Sequence, residues 1–189
     1  MNARLIKIYI SIFLWGIFLA PLPAQESGQV LSTSRATASL YSEAPLENIE
    51  ASTSSVRAAM NTETGELIFV VPIKSFKFEK AKMQEHFNDH YMESEKYPEA
   101  RFEGNIINWK GKHSSKTRVK VKGKLTIHGI TREVTQDAEL DPDGNGLMGK
   151  STFSVKLEDY NIKIPRMVIK NIAELVEISI SAKFEPQNR

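Results

Sequence analysis

The 189-residue chain contains no cysteine. That excludes a lipid anchor attached through cysteine, a thiol nucleophile and any disulfide, so burial and a hydrogen-bonded ladder must hold the fold together. No G-x-S-x-G elbow and no glycine-rich phosphate loop occurs, and the serines gathered at Ser52, Ser54 and Ser55 have no histidine near them in sequence. Nucleophilic and nucleotide chemistry are therefore unmotivated, and no cofactor is expected. Strand–helix–strand alternation and internal repeats are also missing, which argues against a parallel sheet or a solenoid. Net charge is small. The formal value of +2 falls to zero once the first 24 residues are set aside, because they carry Arg4 and Lys7 and no acid, leaving 23 basic against 23 acidic residues. Neutrality argues against nucleic acid or an anionic membrane surface as the main partner.

What is present begins with a leader. Arg4 and Lys7 precede the 13-residue apolar run Ile8–Ala20, and Pro21-Leu22-Pro23-Ala24 follows. This pattern reads as a secretory signal peptide cut after Ala24; the run is shorter than the roughly 20 residues a membrane span needs. The expectation is an exported protein, periplasmic or secreted, with no stable membrane insertion after cleavage. Residues 25–189 then form one domain, long enough for a core of its own.

That domain reads as β-structure interrupted once. Residues 25–42 suggest one or two strands, Pro45 a break, and Ile49–Met60 another strand, with turn composition at Asn61–Gly65. Glu66–Ile73 is apolar on both faces, as in a strand covered on both sides or lining a cavity. Phe102 and Ile106 fall on one face of a further strand. The cleanest alternation follows: Val119, Val121, Leu125 and Ile127 on one face with Gly123, and Arg118, Lys120, Lys122 and Lys124 on the other. His128-Gly129 is a two-residue hairpin signal. After a turn at 141–146 come strands carrying Phe153, Val155 and Leu157, and then, over Ile172–Phe184, Val176, Ile178, Ile180, Ala182 and Phe184. Seven to nine short antiparallel strands imply a sandwich or barrel. Closure would remove the edges, and about eight strands can enclose one small ligand.

The interruption is the segment Lys82–Gly104, KMQEHFNDHYMESEKYPEARFEG. Met83, Phe87 and Tyr91 at i, i+4 and i+8 place an apolar stripe on a short helix over about 79–90, and Tyr97-Pro98 stops it. His86 and His90 are one helical turn apart and could share a metal, giving a metal-dependent enzyme as a minor alternative. No general base stands where an HExxH arrangement has one, and no third ligand is identifiable, so a polar, partly exposed helix face is the preferred reading. Asp141, Asp143 and Asn145 copy half a calcium loop, but the twelfth position is Thr152, not a bidentate Glu; this is expected to be a hairpin turn. The row Arg118, Lys120, Lys122 and Lys124 reads as a solvated strand face, with a lipid-phosphate tether at a barrel mouth as the sharper hypothesis.

Together, MQEHFNDHYMESEKYPEARFEG, KVKGKLTIHGITREV and the terminal VEISISAKF resemble the YceI-like family over nearly the whole mature chain. The resemblance implies an exported, lipocalin-like barrel with a helix packed on it, binding a long apolar chain such as a polyisoprenoid or fatty-acid derivative. Members often carry an Arg-Asp approach to the helix; this chain has Phe78-Glu79-Lys80-Ala81-Lys82, so no head-group contacts carry over there. The expectation is a single antiparallel barrel of about eight strands with one short helix, binding a long-chain lipid without catalysis. Its lumen would be lined by Phe69, Val71, Phe76, Phe78, Phe87, Phe102, Ile106, Leu125, Ile127, Phe153, Val155, Ile178 and Ile180. The alternative is a structural or stress-related barrel whose interior is filled by these same side chains. A homodimer stays open.

Overall fold

The computed structural model describes residues 30–43, 48–111, 114–144, 146–163 and 174–186. The leader at 1–24, Pro45, Asn145 and Ile172 lie outside the described residues. No described helix is long and apolar enough to cross a membrane.

Eight long antiparallel strands close on themselves: β1 (Val30–Ser42), β2 (Ile49–Asn61), β3 (Glu66–Pro72), β5 (Glu99–Ile106), β6 (Thr117–Ile127), β7 (Ile130–Asp143), β8 (Gly146–Lys156) and β9 (Leu175–Pro186). A two-residue β4 (Lys77–Phe78) adds to β2. The order β1-β9-β8-β7-β6-β5-β3-β2 returns to β1 through a β1–β2 pairing, so the sheet is a closed barrel. Residues 25–42 thus supply one strand, β1, among those described.

Alternation sets the inside. On β6, Val121 and Leu125 are buried while Arg118, Lys120, Lys122 and Lys124 are exposed. Three of those cations are matched across strands by acids: Arg118 opposite Glu139, Lys120 opposite Asp137 with an ion pair of 2.8 Å, and Lys124 between Glu103 and Glu133, while Lys122 lies between Asn105 and Thr135. They form a charge ladder on the outer wall, which takes the place of the tether imagined at a barrel mouth. Gly123 lies opposite Gly104, and a Cβ on either would stand within 3 Å of the Phe102 ring and closer still to backbone of the facing strand. The glycine pair lets Phe102 lie flat against the wall.

Turn chemistry closes the ladders. Asn61 Oδ1 accepts from the N–H of Glu63 and Thr64, and Gly65 takes φ +75°. His128 (φ +51°) and Gly129 (φ +74°) form the tight hairpin between β6 and β7, both central residues having the positive φ such a turn demands. The 141–146 segment runs within β7 and β8 through a turn at Gly144, and Asp143 pairs with Lys183 at 2.9 Å; it is a hairpin.

The helix is shorter than its sequence pattern suggests. α1 covers Ala81–His86, and the chain continues as a π turn over Phe87–Tyr91, where Met92 N–H reaches Phe87 O at 2.9 Å. The helical path ends there, seven residues before Pro98, and the chain turns at Glu93 with φ +43°. The wider turn admits an extra residue and delivers Met92, 6% exposed, into the interior beside Ile73, Tyr160 and Ile162. Pro98 acts later: its carbonyl accepts from Ile73 N–H at 2.8 Å, tying the start of β5 to the 3-10 turn Ile73–Ser75.

Candidate functional site

The barrel interior is partly hollow. A cavity of about 580 Å³ runs through it, within the range that holds small-molecule ligands. Its wall on β6 extends from Val121 to Ile127, a depth of about 15 Å once strand rise and tilt are allowed for. At one end Leu31, Met60, Ile106, Leu147 and Phe184 pack to 4% exposure or less and close the barrel. At the other end α1 and its π turn contribute Met83, His86, Phe87, Tyr91 and Met92 to the wall.

An aromatic hinge holds that second end. Phe87 meets Phe78 at 4.9 Å and Phe76 at 5.7 Å between ring centroids. These edge and tilted contacts fasten the helix to β4 and the 3-10 turn. Nearby, Ser75 donates to Pro72 O at 2.6 Å and lies 2.7 Å from the Thr53 hydroxyl, so the one buried threonine in this region is satisfied. Tyr97 packs edge-on against His128 at 4.4 Å, and His128 also contacts Glu93 at 2.9 Å. That network joins the corner after the helix to the β6–β7 hairpin.

Twelve of the thirteen residues expected to line the lumen surround the cavity: Phe69, Val71, Phe76, Phe78, Phe87, Phe102, Leu125, Ile127, Phe153, Val155, Ile178 and Ile180. Ile106 does not. It points inward but lies below the cavity floor, packed in the closed end with 4% exposure; alternation gives its direction but not its height in the barrel. The stripe Met83, Phe87 and Tyr91 does face the cavity.

Sequence reasoning passed over the small inward residues Ala38, Ala100, Ala138 and Gly149, which are what leave room. Their signal was available as small residues at positions of inward parity. It also passed over Gln136 and Ser151, uncharged polar members of the strand wall. The sequence pattern places His86 and His90 together on a polar, partly exposed helix face. His90 is exposed, but His86 is half-buried and lines the cavity. Their rings are 5.5 Å apart, and among the described residues no group of three His, Asp or Glu side chains could hold a metal.

The match to known proteins is broad. The family model for the YceI-like domain covers residues 31–184. This chain belongs to the YceI-like family. A UPF0312 protein of Vibrio parahaemolyticus is 27% identical over 179 residues, 82% of this chain and 89% of that one. A second, from Photorhabdus laumondii, is 32% identical over 100 residues, spanning about half of either chain. Among solved structures, a polyisoprenoid-binding domain from Saccharophagus degradans, described as implicated in plant cell wall breakdown, superposes with a TM-score of 0.73 at 13% identity, covering 85% of this chain and 99% of that one. BcnA of Burkholderia cenocepacia does so with a TM-score of 0.69 at 17% identity, covering 80% and 97%. At such identities these two structures establish the shared barrel alone. Membership in the YceI-like family rests on the sequence match, and the closed eight-stranded barrel with one short helix agrees with both.

Proposed function

We propose that this YceI-like protein binds a long-chain apolar lipid, of the polyisoprenoid or fatty-acid class, inside its barrel and performs no chemistry on it. The observation that carries the reading is the hollow lumen: about 580 Å³ of space walled by aromatic and aliphatic side chains. A barrel filled by its own side chains would not leave such a space. The polyisoprenoid-binding description of the Saccharophagus degradans domain supports the ligand class.

Burial supplies the affinity. Each methylene taken from water contributes about 0.8 kcal/mol, so a chain of about 16 carbons gains about 13 kcal/mol, set against an association cost of about 4–15 kcal/mol. Binding to part of a longer chain would be correspondingly weaker and readily reversed, as a carrier needs. The lipid would enter past α1, with Phe76, Phe78 and Phe87 around the entering chain, and Phe184 and Leu140 near its far end. Enclosure keeps the chain from water during storage or transfer. The basic, apolar leader at residues 1–24 supports export, so the exchange would take place in the periplasm or outside the cell.

The test is native mass spectrometry of protein purified without detergent from an exporting host, followed by organic extraction. A stoichiometric adduct of prenyl or acyl type is the expected result. A clean apo mass together with no uptake of offered long chains would overturn the proposal.

A further inference from the structure

One wall of the barrel is incomplete. β7 pairs with β6 along its length, from Ile130 opposite Ile127 to Leu140 opposite Thr117. Its pairing with β8 covers only Glu139–Asp143 against Gly146–Lys150. Beyond that point Ile130–Ala138 and Ser151–Lys156 diverge, and a fork opens in the sheet. The ladder ends on a side chain: the Ser151 hydroxyl donates to the Asp137 carbonyl at 2.7 Å.

Inside this fork stands Gln136. It alternates with Val134 and Ala138 on the inward face of β7 and lines the cavity with Ser151. Among the described residues its amide makes no hydrogen bond, although it offers two donors and an acceptor. A primary amide facing an apolar lumen without a partner is unfavourable unless water or a ligand supplies one. Ser151, its proton committed to Asp137, retains free lone pairs toward the same space. The charged neighbours at the cavity edge stand at outward positions: Lys150 is exposed opposite Glu139, and Arg101 is paired with Glu103. Gln136 and Ser151 themselves carry no charge, and Lys150 is the cation next to them on the cavity lining.

We propose that Gln136, with Ser151 beside it, is a hydrogen-bonding subsite that selects chains bearing an uncharged polar group, such as a hydroxyl or a carbonyl. This rests on the lipid-binding reading above and adds what the ligand must carry. A phosphate or carboxylate would have to draw the Lys150 ammonium in from its outward position to find a counter-charge there. A bare hydrocarbon would leave the amide unpartnered.

The test uses delipidated full-length protein and displacement of a fluorescent long-chain probe by three competitors of one chain length: the alkane, the primary alcohol and the alkyl phosphate. The alcohol is expected to bind about tenfold more tightly than the alkane, the effect of one neutral hydrogen bond, and more tightly than the phosphate. Gln136→Leu should bring the alcohol-to-alkane ratio to about one, the alkane gaining affinity because no amide is left unpartnered beside it. Gln136→Asn, which keeps the amide, should preserve part of the preference. Equal binding of alcohol and alkane by the unaltered protein would overturn the subsite and leave the carrier reading standing. So would a preference that survives Gln136→Leu, or a preferred phosphate. Failure of all three competitors to bind would remove the carrier reading and the subsite with it.

Discussion

Ala100→Leu separates a hollow barrel from a filled one, because the two give opposite signs. Ala100 lies on the inward face of β5, half-buried at the cavity wall, with Val71 as its strand partner. If the interior were packed to ordinary density, three added carbons would force neighbours from their rotamers at about 1–3 kcal/mol. In a domain of this size that lowers the thermal midpoint by roughly 2–10 °C. In the observed barrel the same carbons extend into free space, so the delipidated protein should keep its midpoint or gain slightly. Ligand affinity should move the other way. Displacing about three methylenes' worth of buried chain removes about 2.4 kcal/mol, or about 50-fold in Kd. Circular dichroism melts and displacement of a fluorescent long-chain probe read both quantities on one preparation. A midpoint lowered by more than about 5 °C with unchanged affinity would refute the hollow-lumen reasoning.

Other outcomes follow from the same contacts. Gly123→Ala should destabilise by about 1–3 kcal/mol, since the new methyl meets both the Glu103 carbonyl and the Phe102 ring; a denaturant midpoint equal to that of the unaltered protein would contradict this. Phe87→Ala removes the ring shared by Phe76 and Phe78 and loosens α1, so a cost of about 2–4 kcal/mol and faster ligand release are expected in stopped-flow exchange. Burial raises the Tyr160 pKa above its ordinary value, with Asp159 adding to the shift. A raised folded value means that the neutral ring stabilises the fold below the unfolded pKa and that this contribution is lost as pH rises through the folded one. Tyr160→Phe should therefore flatten the alkaline limb of the stability profile; an identical limb in the variant would assign the loss elsewhere. Prolonged chelation with EDTA should leave lipid uptake unchanged, because His86 faces the cavity and His90 faces solvent; uptake restored only by zinc would revive the metal reading.

Much of the barrel was legible because its strands obey a two-residue period. β6 announces itself by four cations alternating with Val119, Val121, Leu125 and Ile127, and the hairpin at His128-Gly129 fixes the register of β7 against it. The helix was legible in place but not in length. The π turn at Phe87–Tyr91 depends on Met92 finding a buried site beside Ile73 and Ile162, contacts made with distant parts of the chain. Periodicity within the helix carries no trace of them. His86 is partly exposed, as its polar neighbours in sequence suggest, but its place at the cavity is decided by the barrel end against which α1 lies.

The division between core and cavity is a question of height and size, and alternation addresses neither. Ile106 and Phe102 share an inward face of β5, yet Phe102 bounds the cavity and Ile106 lies beneath it. What separates them is the layer each joins: Ile106 packs with Met60, Leu147 and Phe184, whereas higher layers contain Ala38, Ala100 and Ala138. An eight-stranded ring has room for side chains to fill its centre, so vacancy must be written as small residues at inward positions. Those alanines, with Gly149, are such residues, and they come from β1, β5, β7 and β8 on different sides of the ring. Their distribution makes the space continuous along the barrel, as a linear chain requires. Exchanging the large and small inward residues between layers, Ile106→Ala with Ala100→Leu, should accordingly move free volume toward the closed end while changing its total little. The expected result is retained stability to within the cost of the Ile106 truncation, about 2–5 kcal/mol, with weaker binding of long chains. Undiminished long-chain affinity in that double variant would mean that the ligand does not occupy the Ala100 layer.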